Sequence, residues 1–356
     1  MHNRSVKCDY LYHNTITVSY FFCRTVNDVN LDQTSVNTFS DIVLAVAPME
    51  GVMDHTMRSL LSQIGGMNYL VSEFVRVSQQ AVSSAALKKL VPELNHNAKT
   101  TEGCPVHIQL LGSNPEIMGE TAYNAVCAGA SHIDINFGCP AKRVNGHGGG
   151  SFLLQSPNTL FEIVDNIRTA IPSNIPLSAK IRLGFMDESL FFQNLEAIEK
   201  GGANALTIHG RTKKDGYGPP ARWEKIKQAK SNSNMTIIAN GDIRSQESLT
   251  ACVAATHCKD FMIGRGSLSN PFIFRELKEG NAGSETELLD LIENYIDTLL
   301  LNYDEFATLG RIKQWCAHLR QSWPCIANQL KTIRQTQSTS ELKTLFAEMK
   351  IYNEAH

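Results

Sequence analysis

The chain has 356 residues, 42% of them hydrophobic and 19% charged, with a formal net charge of −2. The length suits one large domain plus a small one, and a charged fraction only a little under the usual ~25% excludes a disordered chain. The balance argues against a generally basic nucleic-acid binder, nine cysteines without a C-x-x-C pair argue against a disulfide framework, a zinc ribbon or an iron–sulfur site, and no apolar run reaches the ~18 residues of a membrane span.

Scattered cysteines in odd number read as reduced thiols of a cytoplasmic protein. Residues 1–40 are polar and aperiodic. They are expected to form a poorly ordered extension outside the fold. The apolar stretch Ile16–Cys23 is short, interrupted by polar residues and without an A-x-A site, so a secretory signal is not expected. Beyond it, short β-rich runs alternate with helical stretches. The runs are Val43–Met49, Tyr69–Val75, Val106–Leu111, His132–Phe137, Leu177–Leu183, Ala205–His209, Thr236–Ala239 and Phe261–Ile263. Between them Asn114–Ala128 opens on Asn-Pro, Ser156–Ile171 opens on Ser-Pro, Leu190–Lys200 stops at Gly201-Gly202, and Ser245–Ala255 follows Asp242 and Arg244.

Eight strands alternating with helices predict an α/β fold, a (β/α)8 TIM barrel, over residues 41–280. A doubly wound sheet would need G-x-G-x-x-G after its first strand, and here that strand ends Ala47-Pro48-Met49-Glu50-Gly51. Barrel strands are covered on both faces and should be continuously apolar, as Val43–Ala47 and Thr236–Ala239 are. After the linker Glu279–Ser284 the β-rich signal stops. Glu287–Asn302 carries a helical apolar stripe that Ile312–Trp323 continues, predicting a C-terminal helical domain over 284–356. Seven acids and no base lie between Glu285 and Gly310, then seven bases and two acids between Arg311 and Lys350. Such a split suits either a phosphate-docking face or a pair of solvated helices.

In a barrel the chemistry sits at the carboxyl ends of the strands. Gly241 and Gly264 follow the last two runs, where barrels often bind phosphate. Glycine lets backbone N–H groups approach phosphate oxygens, and Arg265 can add a charge-assisted bond. Lys180 lies within a run suited to the barrel interior, where an unpaired charge is costly. Two roles stay open for it: a Schiff-base amine, or a fixed cation facing an electron-rich cofactor. Gln109 can both donate and accept, which suits the edge of a flavin. Cys139 stands between Gly138 and Pro140, on a stiff turn that lifts the thiol out of its strand. A mostly protonated thiol suits proton donation as well as nucleophilic attack. The run Asn145-Gly146-His147-Gly148-Gly149-Gly150 is expected to be a mobile lid or a surface for close approach of a large ligand.

Ala47-Pro48-Met49-Glu50-Gly51-Val52-Met53-Asp54, Ser72-Glu73-Phe74-Val75-Arg76, Asn136-Phe137-Gly138-Cys139-Pro140, His209-Gly210-Arg211-Thr212, Asn240-Gly241-Asp242 and Gly264-Arg265-Gly266 occur in this order. Together they resemble the tRNA-dihydrouridine synthases over roughly residues 42–340. Three features are similar to the bacterial C-type of that family: Glu73–Arg76, Val144–Gly150 and Arg311-Ile312-Lys313-Gln314-Trp315. That type acts on uridine 16 of the tRNA D-loop.

The resemblance implies FMN over the barrel mouth, NADPH (or NADH) as reductant, tRNA as partner, no metal, and a monomer. Pro48, Met49 and Glu50 would border the flavin, with Gln109 and Lys180 at its polar edge. His209, Asn240, Gly241, Asp242, Gly264 and Arg265 would hold the cofactor toward its phosphate end. Cys139 would protonate the base after hydride transfer. Arg76, Asn136, His209, Arg211 and Tyr217 would surround the base, and Lys313, Trp315, Arg320 and Arg334 would grip the tRNA. Residues 1–40 have no counterpart in the resemblance, and His147 stands where a small residue is more usual. Another FMN-dependent TIM-barrel oxidoreductase of the dihydroorotate type would account for the flavin features alone, without the basic helices. A non-catalytic RNA-binding barrel would purify colourless.

Overall fold

The computed structural model describes residues 39–218 and 220–354, so the extension expected over 1–40 lies, but for its last two positions, outside the described residues. The strands are β1 Val43–Val46, β2 Tyr69–Val71, β3 Val75–Arg76, β4 Val106–Leu111, β5 Ile133–Phe137, β6 Leu177–Arg182, β7 Ala205–His209, β8 Thr236–Asn240 and β9 Asp260–Ile263. All neighbours are parallel, and β1 bonds to both β2 and β9, so the sheet closes. β2 and β3 both pair with β4 and share one place in the circle, which makes this an eight-stranded barrel.

The single run expected over Tyr69–Val75 is therefore broken in two. Ser72 Oγ accepts the Gln109 N–H at 3.0 Å, a side chain doing the work of a ladder carbonyl. Glu73 instead reaches across to accept the Gly51 N–H at 2.5 Å. β1 also stops short of the expected Met49, since Pro48 has no N–H to offer a ladder.

Helices alternate with these strands as expected: α1 His55–Ile64, α2 Ser84–Leu90, α3 Pro115–Cys127, α4 Lys142–Asn145, α5 Pro157–Ala170, α6 Phe191–Lys200, α7 Trp223–Ser231, α8 Gln246–Thr256, α9 Arg265–Ser269 and α10 Ile273–Glu279. The Asn-Pro signal works as read. The Asn114 side chain accepts from the Ile117 N–H, and Pro115 occupies the first turn, where a missing donor costs nothing.

Side chains alternate between the two faces of each strand. Ala45, Ala47, Val71, Ile238 and Met262 form an apolar cluster of their own inside the barrel. On β4–β6 the inward phase carries Gln109, Asp134, Asn136, Ser178 and Lys180 instead, which pair or bond with one another. The rule of continuously apolar strands thus holds for one side of the barrel and fails for the other.

The helices cover the outside. Within that layer Arg58 of α1 is 2% exposed and makes a two-pronged pair with Glu93, at 2.7 and 2.8 Å, while also donating to the Met53 carbonyl. Replacing Glu93 with glutamine leaves the guanidinium buried and without its counter-charge. The expected loss is about 3–5 kcal/mol of unfolding free energy. Denaturant melts check this, and a loss under about 1 kcal/mol would contradict it.

Four further helices follow: α11 Glu285–Leu300, α12 Glu305–Leu319, α13 Pro324–Gln335 and α14 Thr339–Glu354. Their apolar faces join the same continuous core as the barrel's outer layer, from Leu288 to Phe346. Lys343 and Lys350 of α14 pair with Asp297, Asp290 and Glu293 of α11. Part of the acidic–basic split seen in the sequence is thus consumed inside this segment. Among the described residues no helix is long and apolar enough to cross a membrane.

Candidate active site

The carboxyl ends of the strands surround a cavity of about 370 Å³. Thirteen of the expected site residues line it: Pro48, Met49, Glu50, Asn136, Cys139, Lys180, His209, Tyr217, Asn240, Gly241, Asp242, Gly264 and Arg265. Phe74, Arg182 and Arg244 line it as well. Arg182 falls within the expected run Leu177–Leu183, and no role was expected of it.

Lys180 projects from β6 and donates to Asn240 Oδ1 at 3.0 Å. Asn240 is itself fixed by donating to the Met262 carbonyl at 2.8 Å. Burial, and then the Arg182 charge, push the Lys180 ammonium down to about 7, while Asp134 beneath pulls the other way. His209 stays neutral: burial and the cations Lys180, Arg182, Arg211 and Arg265 hold its pKa far below the usual range. An Arg211 N–H faces His209 Nε2 at 3.2 Å, which makes that nitrogen an acceptor and leaves the proton on Nδ1.

At the ends of β8 and β9, Gly241 has φ +126°, and a Cβ there would fall 2.8 Å from Ala221 Cβ. Asp242, at φ +59°, accepts from Arg211 at 2.8 and 2.6 Å and from the Ala221 N–H at 2.8 Å. Arg265 lies 3.8 Å from the same carboxylate and stacks on Tyr217 at 4.4 Å. Cations outnumber anions around this end, and the glycines leave backbone open beside them. These residues therefore fit a ligand that carries a phosphate and a planar, electron-accepting ring.

Cys139 is half-buried at the rim. Its peptide is gripped on both sides. Asn136 Oδ1 accepts the N–H groups of Gly138 and Cys139 at 3.0 and 2.8 Å. The Cys139 carbonyl accepts from Ser151 N at 3.1 Å and Ser151 Oγ at 2.9 Å. The glycine run, expected as a mobile lid or a surface for close approach of a large ligand, is the reason the second grip exists. It leads from the end of α4 into a short helix at Gly150–Gln155. Gly150 has φ +59°, and a Cβ there would lie 2.9 Å from the Cys139 carbonyl oxygen. Burial raises the Cys139 thiol above its ordinary pKa, so at neutral pH it carries its proton. Arg182 ties the neighbouring loops together by donating to the carbonyls of Gly138, Thr212 and Gly216.

Several expected site residues lie elsewhere. Gln109 is fully buried below the mouth, and both ends of its amide are engaged, by Asp134 and Asn136. Arg211 is 2% exposed and bound to Asp242, so it supports the β8 end instead of facing a base. Trp315 was expected to grip RNA. It is 1% exposed, donates to the Leu268 carbonyl at 3.1 Å and packs edge-on against Tyr295, so it is a core residue joining α12 to α9. Lys313 was expected to do the same, but it donates to the carbonyls of Arg334 and Thr336 and closes the end of α13. Arg76, Arg320 and Arg334 are exposed. Arg311, conversely, bonds Asp54 at the start of α1, where Tyr303 also donates at 3.0 Å. Among the described residues no group of three or more His, Cys, Asp or Glu could hold a metal ion.

Residues 45–355 match the family described as dihydrouridine synthase (Dus). The tRNA-dihydrouridine(16) synthase of Shewanella oneidensis is 41% identical over 308 residues, 86% of this chain and 93% of that protein. The protein of the same name from Ralstonia nicotianae is 38% identical over 304 residues, 84% of this chain and 93% of that one. Among solved structures, histamine dehydrogenase from Rhizobium sp. 4-9 superposes with a TM-score of 0.52 at 15% identity, over 72% of this chain and 48% of its own. A 2-naphthoyl-CoA reductase gives 0.50 at 13% identity, over 67% and 50%. At these identities the two likenesses concern the fold alone, and this chain spans about half of each.

Proposed function

The chain belongs to the dihydrouridine synthase family of flavin-dependent oxidoreductases, and on that premise we propose that it reduces uridine 16 in the tRNA D-loop to 5,6-dihydrouridine, with FMN as the flavin and NADPH as reductant, in the cytoplasm. The observation that carries the reading is Cys139, its peptide held on both sides, at the rim of a cation-lined cavity. FMN held there would supply a hydride for C6 of the uracil, with NADPH as its source. The Cys139 thiol gives its proton to C5, and its half-exposure lets solvent restore it.

The other residues position and screen. Lys180 and Asn240 present donors to the polar edge of the ring, and the Lys180 charge favours the electron-rich form. His209, Gly241, Gly264 and Arg265 attend the phosphate end, with Asp242 and Arg211 bracing them. Pro48, Met49 and Glu50 wall the ring, while Arg76, Asn136 and Tyr217 flank the incoming base. The base must meet the ring inside the cavity, so the uridine must leave its stack to enter. Residues 284–356 supply RNA contacts through exposed Arg320 and Arg334.

The test is incubation of purified protein with NADPH and an unmodified tRNA transcript, followed by mapping of dihydrouridine. A yellow protein that converts position 16 is expected. Conversion at another position refutes the site, and a yellow protein that converts none refutes the substrate.

A further inference from the structure

The barrel interior holds a carboxylate that the proposed reaction does not touch. Asp134 on β5 is 2% exposed and does not line the cavity. A directional chain of hydrogen bonds leads from it to Cys139. Gln109 Nε2 donates to Asp134 Oδ2 at 2.7 Å, and Asn136 Nδ2 donates to Gln109 Oε1 at 2.8 Å. Asn136 Oδ1 then accepts the N–H groups of Gly138 and Cys139 at 3.0 and 2.8 Å.

Each amide has one donating end and one accepting end. The peptide N–H groups at the rim can only donate, and the carboxylate oxygen at the base accepts. Turning either amide would set donor against donor inside a buried site, at the cost of unmade bonds. The polarity of the carboxylate thus propagates through two side chains to the rim. The other oxygen of Asp134 accepts from Ser178 Oγ at 2.5 Å, and Ser178 Oγ lies 2.9 Å from His132 Nε2, so the base of the chain is itself held.

We infer that Asp134 is a positioning residue for Cys139: it orients Gln109, which orients Asn136, which holds the Cys139 peptide. This rests on the reading of Cys139 as the proton donor. Asn136 is the one member of the Asp134–Gln109–Asn136 relay that lines the cavity, so the hydrogen-bonded influence of Asp134 on Cys139 passes through it.

The test combines two half-reactions with a double-mutant cycle. Asp134→Leu is expected to slow uridine reduction in single turnovers by about 10–100-fold, the scale of a small misplacement of a reacting group. Flavin reduction by NADPH, which does not involve Cys139, is slowed less, because it feels the change only through the lost pull of Asp134 on Lys180. Asp134→Asn can still turn its carbonyl to Gln109 and its amino group to the Ser178 hydroxyl, so it stays within about threefold of the wild type. In an Asn136→Ala background, Asp134→Leu adds no further loss. Should the leucine chain not fold, Asp134→Ser is too short to reach Gln109 and takes its place. Additive losses, equal slowing of both half-reactions, or an asparagine variant as slow as leucine overturns the inference.

Alkylation of Cys139 by iodoacetamide, followed on its peptide by mass spectrometry, needs no RNA. The rate rises in Asp134→Leu and does not rise further when Asn136→Ala is added. Equal rates in wild type and Asp134→Leu overturn the inference whatever the substrate. The expected alkylation pattern in a protein inert toward tRNA would refute the proposed function and leave the positioning role standing.

Discussion

Cys139→Ala lowers dihydrouridine formation by about 10²–10⁴-fold, the span that a positioned general acid contributes. The protein remains yellow, and NADPH reduces its flavin at the wild-type rate, because the bonds of Cys139 to Asn136 and Ser151 run through its peptide and survive loss of the sulfur. Anaerobic stopped-flow measurements separate the steps: reduction of the flavin is unchanged, and its reoxidation by tRNA is lost. Loss of both steps would mean that Cys139 holds the site together. Full activity would remove it from the chemistry. The same role fixes a pH signature. Burial raises the thiol pKa, so in the wild type the alkaline fall of uridine reduction, which marks loss of the thiol proton, lies above that of an ordinary thiol.

Lys180→Met is the second large effect, and it acts on activity and stability in opposite directions. Removing a fixed charge aimed at the electron-rich form of the cofactor is expected to cost about 10²–10³-fold in turnover. The cofactor-free protein, however, becomes more stable. Lys180 has its pKa lowered to about 7 in the folded chain, against about 10.4 when unfolded. Below about 7 both states bind the proton and the folded protein bears the full desolvation cost. Between the two values the unfolded state binds more protons, so wild-type stability rises with pH across that window. Methionine abolishes the rise. Thermal melts of flavin-stripped protein at neutral pH should favour the variant, with the gap closing toward the upper end of the window. Parallel melts at both ends would show that Lys180 is not strained by burial. A functional cation that destabilises the empty fold is what an active site built for a charged ligand should contain.

Most of the barrel could be read in advance, because its signals are local. Asn114-Pro115 begins a helix whatever surrounds it. The cavity residues were also legible, since the carboxyl end of every barrel strand points to one mouth and thirteen of the named residues meet there. Three things were not. The split of the second strand depends on Ser72 standing opposite the Gln109 N–H, a partner 37 residues away. The fate of the C-terminal cations was hidden for the same reason. Lys313 was expected at the RNA, and Arg311, Lys343 and Lys350 belong to a basic run that suits a phosphate-docking face or solvated helices equally, yet each finds a carbonyl or carboxylate on another element. Trp315 was misjudged because an indole on a basic helix looks the same whether its ring faces RNA or Leu268.

The position of Cys139 shows the division most closely. Gly138 and Pro140 determine that the thiol leaves its strand on a stiff turn, because their backbone limits travel with the sequence. The grip on its peptide, by Asn136 from one side and Ser151 from the other, exists only once β4, β5 and the Gly150 turn are packed together. Local torsional preferences act between neighbours in the chain, whereas hydrogen bonds between buried groups are decided by which strands the closed barrel makes adjacent.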